Sequence, residues 1–430
     1  MPQKRKTKVD DRPATTVRPE GFKTPKGVRQ GEDVERGATL ATIASDESYW
    51  AWVQQAFNVD RTIINLNNAR ISPAAQPVCL LQQSHAGFAN LAPPYNLRQI
   101  LQPQVEGVRA RLAASFGCDP EEIAITRNAS ESLENCIYGL PLKAGDEVLT
   151  TDQDHPGMIV AWQQRVRRDG IRLNVIPIEV PPPSTEYLAR RIDESITPST
   201  RVIMVCHITA TTGQVFPIRR ICQMGRERGI EVIVDGAQAF AQMDFRQEEL
   251  DCDYYGVSLH KWLCAAEGTG FLYVRKEKIR GLWPLMGADE SLNDNIRKFE
   301  EIGTYPVANY TSIAAALTLH ETIGGQTKAS RLRYLKERWV QRLRVHKNVR
   351  MLTPDDPLQS CGIATFTTVG ISVEEVASRL WNEHHILVGS FQLDKLSGIR
   401  VSPQIYNTVA EIDSFCEAME AILDKPSRQV

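Results

Sequence analysis

The chain has 430 residues, 42% of them hydrophobic and 24% charged, with 50 Lys and Arg against 52 Asp and Glu for a formal net charge of −2. That is the composition of an ordinary globular protein with room for one larger and one smaller domain, and its balanced charge provides no global field to draw in nucleic acid. No apolar run reaches transmembrane length, so no membrane partner is expected, and nine cysteines without a CxxC pair or a Cys/His cluster argue against a disulfide framework or a metal site and for a reducing, cytoplasmic setting.

In chain order, residues 1–40 read as a disordered basic tail, since they are rich in Lys, Arg, Pro, Gly and Thr and cannot bury enough surface to offset their ordering entropy. Lys4-Arg5-Lys6 with the apolar piece Gly37–Ala44 only imitates an export signal, because Glu32, Asp33, Glu35 and Arg36 stand between them. Residues 41–70 read as an N-terminal segment packing with the small domain, with a helix capped near Asp46 and presenting Trp50, Val53 and Phe57. Residues 71–315 form the large domain. Strands are predicted at 122–126, 147–150, 173–176, 202–205, 232–234 and 268–274, and helices start at Ala129 and Ile218. Alternating strand and helix units predict an α/β fold with a mostly parallel sheet covered on both faces. Residues 316–430 form a smaller α+β domain with helices over 327–345, from Val373 and over 410–423, and strands at 363–367 and 399–402.

Two segments carry the chemistry. An apolar strand delivers Asp235, continued by Gly236-Ala237-Gln238, and a second strand delivers Ser258-Leu259-His260-Lys261-Trp262. An acid and a lysine on successive strand ends suit pyridoxal phosphate. The lysine forms the Schiff base and the carboxylate keeps the pyridine nitrogen protonated. In this reading Gly236 and Ala237 are small so that a flat ring can approach, Gln238 donates to the ring hydroxyl, and Trp262 is an apolar wall. The strand-to-helix turn Thr126–Glu131 offers free backbone N–H groups and the helix dipole for a phosphate, and Ser130 adds a hydroxyl. His155 follows another strand end, where it is placed to stack on the ring and help move protons. His207 lies at the same sheet edge, in either a ligand-contacting or a structural role. Arg400, in a short strand, suits a substrate carboxylate.

These segments, with Gly303-Thr304 and Arg400–Thr408, resemble the class V aminotransferase family of fold-type I pyridoxal-phosphate enzymes, in particular its isopenicillin N epimerase-like branch, from about Tyr49 to the C-terminus. The resemblance implies a seven-stranded large-domain sheet sandwiched by helices. It also implies that Lys261, Asp235 and His155 are catalytic and that Ala129, Ser130, Gln238, Ser258, His260 and Thr304 bind the cofactor. Thr304 would complete the partner's phosphate site, which implies a homodimer with shared active sites. Arg400 would hold the substrate α-carboxylate, with Asn68 and Arg70 as further substrate contacts.

The chain departs from the family twice. Residues 387–399 contain no cysteine, and Cys361 lies upstream on a strand candidate, so persulfide-forming cysteine desulfuration is not expected. Arg70 stands where relatives commonly have a small residue, and would place a cation near the substrate's distal end. Transamination and epimerisation at Cα lead, with β-elimination as the alternative, since all three use the same core residues. A non-catalytic relative would be expected to have lost Lys261 or Asp235, and a nicotinamide enzyme would carry a GxGxxG after an early strand, which is missing.

Overall fold

The computed structural model describes residues 40–393 and 396–424. The predicted basic tail therefore lies outside the described residues, apart from Leu40. The apolar piece that imitates an export signal ends inside the fold, because Leu40–Ser45 is a short helix with Ala44 buried.

Among the described residues thirteen strands occur in chain order: β1 (Ile64–Asn65), β2 (Ile123–Thr126), β3 (Glu147–Thr151), β4 (Arg172–Ile176), β5 (Thr200–Cys206), β6 (Glu231–Asp235), β7 (Tyr254–Ser258), β8 (Gly270–Val274), β9 (Val349–Met351), β10 (Ala364–Thr368), β11 (Ile386–Leu387), β12 (Gly389–Leu393) and β13 (Leu396–Val401). The large sheet has seven strands in the order β2-β8-β7-β6-β5-β3-β4, parallel except where β8 pairs with β2 and β7.

Successive residues of one strand feed opposite cores, as the pleat requires. Val232 and Val234 join one apolar cluster with helices Gln102–Phe116 and Ile218–Arg228, while Ile233 joins another with helices Ala129–Gly139 and Pro156–Asp169. Both faces are thus dry, which is why β5 and β6 read as unbroken apolar runs. Each Val or Ile enclosed in this way contributes about 1.5–3 kcal/mol.

The small domain holds the antiparallel sheet β12-β13-β10-β9, covered by helices Val373–His384 and Val409–Asp424. β1 pairs in parallel with β11, which ties the N-terminal segment to this domain. The expected boundary at 315/316 falls inside the continuous helix Val307–Ile323. The next helix, Gly325–Leu343, sends Ala329 and Leu332 into the large-domain core and Leu335 and Trp339 into the small one. A composition shift cannot locate a boundary where one helix serves both cores.

Three successive carbonyls of the loop after β5 receive side chains from the small domain. Arg400 Nη1 donates to Ala210 O at 2.6 Å, Thr365 Oγ1 donates to Thr211 O at 2.5 Å, and Thr353 Oγ1 donates to Thr212 O.

Candidate active site

The site lies at the carboxyl ends of β5, β6 and β7, where an open α/β sheet binds ligands. Asp235 closes β6, with Cys206 of β5 and Gly256 of β7 as its register neighbours. Its Oδ1 accepts from Ala237 N at 2.9 Å and its Oδ2 lies 3.9 Å from Cys206 Sγ, so the carboxylate is fixed on a buried edge. The small residues after it have a different cause from the one expected. A Cβ on Gly236 would fall 1.8 Å from the Tyr255 ring, so it is the protein's own aromatic side chain, packed beneath the turn, that demands glycine.

β7 ends at Ser258, and the following loop is held by backbone bonds from Leu259 N to Thr269 O and from Ala265 N to Leu259 O. Cys264 adopts φ +58°, in the left-handed region, and the buried Lys328 donates through Nζ to Trp262 O, so the loop is pinned from below. Trp262 is fully buried and donates through Nε1 to Gln238 Oε1 at 2.9 Å. It is therefore a core residue of the loop and not the expected pocket wall.

Lys261 Nζ has no hydrogen-bond or ion-pair partner among the described residues. Burial lowers its ammonium below the ordinary lysine value, Asp235 opposes that shift, and Arg400 adds to it. His155 is lowered by burial and feels the charges of Asp235, Lys261 and Arg400. These four side chains thus share one electrostatic neighbourhood although they come from four separate segments. His155 caps helix Pro156–Asp169, its Nδ1 accepting from Gly157 N at 3.1 Å, so the neutral ring carries its proton on Nε2. Asp154 locks this corner by accepting from Thr150 Oγ1, Thr151 N and Thr151 Oγ1.

At the phosphate-type turn, Asn128 caps helix Ala129–Gly139 through Glu131 N, and Ala129 N donates to Ser258 Oγ at 2.9 Å, joining the turn to the lysine loop. Gly270 allows this closeness, because a Cβ there would meet Asn128 Cα at 2.8 Å and Asn128 N at 2.9 Å. Ser130 is exposed, with the N–H that a helix start leaves open. His260 Nδ1 is buried without a partner. Gln238 Nε2 donates to Ala69 O at 2.8 Å, which leaves one amide hydrogen for a ligand. Thr304 is exposed on the loop before helix Val307–Ile323.

Arg400 sits in β13 opposite Thr365 and Gly389. Its Nη1 donates to Ala210 O, its Nη2 donates to Asn67 Oδ1 at 2.9 Å, and its buried Nε has no partner. No carboxylate pairs with it among the described residues, and burial together with Arg70 lowers it to about 10. Sequence reasoning missed Asn67 and placed Asn68 in the substrate site. The structure corrects the latter. Asn68 is fully enclosed, its Nδ2 donating to Asn65 O and Ser402 O and its Oδ1 accepting from Tyr406 Oη at 2.8 Å, so no polar atom is left for substrate. Arg70 is exposed beside Arg400.

His207 proves structural. Its N–H donates to Asp235 O at 2.8 Å and its Nδ1 lies 2.9 Å from Tyr255 Oη. Burial lowers its imidazole from 6.5 to about 3. The unfolded chain takes up a proton below pH 6.5 that the native state refuses, so this contribution to stability is whole above that pH and is lost as pH falls toward 3. At pH 5 the loss is about 2 kcal/mol. The urea midpoint is expected to drop between pH 7 and pH 5, and to drop less in His207→Gln.

The profile described as aminotransferase class-V matches residues 82–415. The chain belongs to the aminotransferase class-V family. This class-V chain is 28% identical to the isopenicillin N epimerase of Amycolatopsis lactamdurans over 87% of its own length and 98% of the relative. It is 27% identical to a probable cysteine desulfurase of Synechocystis over 74% and 80%. Among solved structures it superposes on a cysteine desulfurase from Escherichia coli with TM-score 0.76 at 22% identity, covering 87% of this chain and 98% of that one. A cystine C–S lyase in complex with cysteine persulfide gives TM-score 0.74 at 24% identity, covering 83% and 97%. The fold is therefore fold-type I, and the cofactor is pyridoxal phosphate. The residues present fit that group: among the described residues an unpartnered lysine amine shares the field of a fixed carboxylate, and the lysine loop that carries the unpartnered buried His260 Nδ1 is joined through Ser258 to the start of helix Ala129–Gly139. No helix among the described residues is long and apolar enough to cross a membrane.

Proposed function

We propose that this chain removes and returns a proton at the α-carbon of an amino acid, as an aminotransferase or an epimerase-like enzyme. The observation that carries this reading is Arg400, a half-buried guanidinium with no acid partner among the described residues, set in the charge neighbourhood of Lys261, Asp235 and His155. Bound pyridoxal phosphate supplies an electron sink that weakens bonds at that carbon. Asp235 would pair with the pyridine nitrogen and keep it protonated. Ser130, Ser258 and His260 would hold the phosphate, with Ala129 lining that turn through an N–H already given to Ser258 Oγ, and the spare amide hydrogen of Gln238 would reach the ring hydroxyl. Lys261 Nζ is the covalent anchor, and burial, which lowers its basicity below that of an ordinary lysine, favours the neutral amine that can carry a proton at Cα. Arg400 orients the substrate through its α-carboxylate, and His155 covers the ring.

Sulfur transfer through a persulfide is not part of this reading. No cysteine occurs in 387–399, and Cys361 is fully buried with Sγ 3.3 Å from Gln242 O. All nine cysteines are free thiols, which supports a reducing cytoplasm. The exposed Leu80, Phe88, Leu91 and Tyr95 support a homodimer, the assembly in which Thr304 would complete the partner's phosphate site.

Incubating the holoenzyme with amino acids in D2O tests the reading. Deuterium at Cα is expected, with a keto acid if the enzyme transaminates and without one if it epimerises. Pyruvate with ammonia, or no exchange with any amino acid, would overturn it.

A further inference from the structure

Arg70 is a second cation at the site that the chemistry above does not use, and its backbone is fixed. Asn67 Oδ1 accepts from Arg400 Nη2, and Arg70 N donates to Asn67 O at 3.2 Å. On one side Ala69 N donates to Ser402 Oγ at 3.0 Å and Ala69 O accepts from Gln238 Nε2 at 2.8 Å. On the other side Ser72 N donates to His260 O at 3.0 Å. The loop bearing Arg70 is thus bonded to the strand end beside Arg400, to a cofactor-facing amide and to the lysine loop. The Arg70 side chain is exposed and has no hydrogen-bond or ion-pair partner among the described residues. Two other arginines are, by contrast, matched by acids: Arg109 by Glu106 and Glu300, and Arg297 by Glu106 and Glu121. Here two guanidinium groups stand close enough for one to depress the other, and no carboxylate among the described residues pairs with either.

We propose that Arg70 and Arg400 form a paired anion receptor and that the substrate is an amino acid bearing a second carboxylate, held distally by Arg70. The proposal rests on Arg400 taking the α-carboxylate. A diacid relieves the repulsion between the two cations while it binds, so its second charge counts for more than at an isolated surface arginine. A monoacid fills only the inner half of the receptor and leaves Arg70 to solvent. Arg70 therefore sets specificity by substrate charge.

Calorimetric titration of the holoenzyme with straight-chain dicarboxylates from malonate to pimelate, beside monocarboxylates of equal length, tests this. The wild type is expected to bind its best dicarboxylate at least about tenfold more tightly than the matched monocarboxylate. Arg70→Ala is expected to bring that ratio to about one, and Arg70→Lys to restore part of it. Arg400→Ala is expected to weaken both series. A wild type without the preference, or an Arg70→Ala that keeps it, overturns the proposal while the loss in Arg400→Ala leaves the Arg400 reading standing. If Arg400→Ala changes neither series, the Arg400 reading itself has failed, and the receptor with it.

Discussion

Lys261→Ala is expected to yield a folded protein that no longer holds the cofactor covalently and turns over at least about 10⁴-fold more slowly. Lys261 Nζ bonds to nothing else among the described residues, so its removal leaves no protein group newly unpaired. The loop keeps its shape because its carbonyls are held independently, Trp262 O by Lys328 and Lys261 O by Gln404 Nε2 at 3.4 Å. Thermal melting should therefore change little, whereas the visible absorbance of the holoenzyme should be lost. Borohydride reduction followed by peptide mass spectrometry should find the cofactor mass on Lys261 in the wild type and nowhere in the variant. A variant that keeps its colour and turnover would refute Lys261 as the anchor. The lowered basicity of the amine adds a sign. As pH falls from alkaline values, cofactor capture should persist to lower pH than an ordinary lysine near 10.4 would allow.

Arg400→Ala is expected to lower kcat/KM by about 10²–10³-fold, the cost of cutting one member of a half-buried charge-assisted pair, with most of the effect in KM. The proposed contact to an α-carboxylate would exist before and during the reaction, so its loss should weaken ground state and transition state together. Ala210 O and Asn67 Oδ1 also lose their donor, and modest destabilisation should accompany the kinetic change. Arg400→Lys keeps the charge without the planar fork and cannot serve two acceptors and a carboxylate at once, so it should recover only part of the activity. Equal effects on kcat and KM, or no effect, would assign Arg400 to structure alone.

The central sheet was readable because its strands are buried on both faces. Val202–Val205 and Val232–Val234 are runs that only β5 and β6 explain, and the acid and the lysine follow from where such strands end. What stayed hidden depends on contacts far apart in the chain. Asn68 looked available in a loop, yet it is consumed by Ser402 and Tyr406. Gly236 was given a ligand's reason for being small when Tyr255 is the neighbour that needs the space. Helix Gln76–Leu91 escaped notice because Leu80, Phe88 and Leu91 lie exposed and blur the helical stripe. Thr304 has no signal of its own, since its proposed role requires a second subunit.

The three carbonyls at 210–212 that are gripped from the small domain have a mechanical consequence. Swinging that domain outward would break all three bonds together and pull Arg400 off its rest, so these contacts resist opening of the proposed amino-acid receptor before any ligand arrives. Recognition would then work as a preset mould, with encounter rate and not hinge travel governing how fast the substrate is captured.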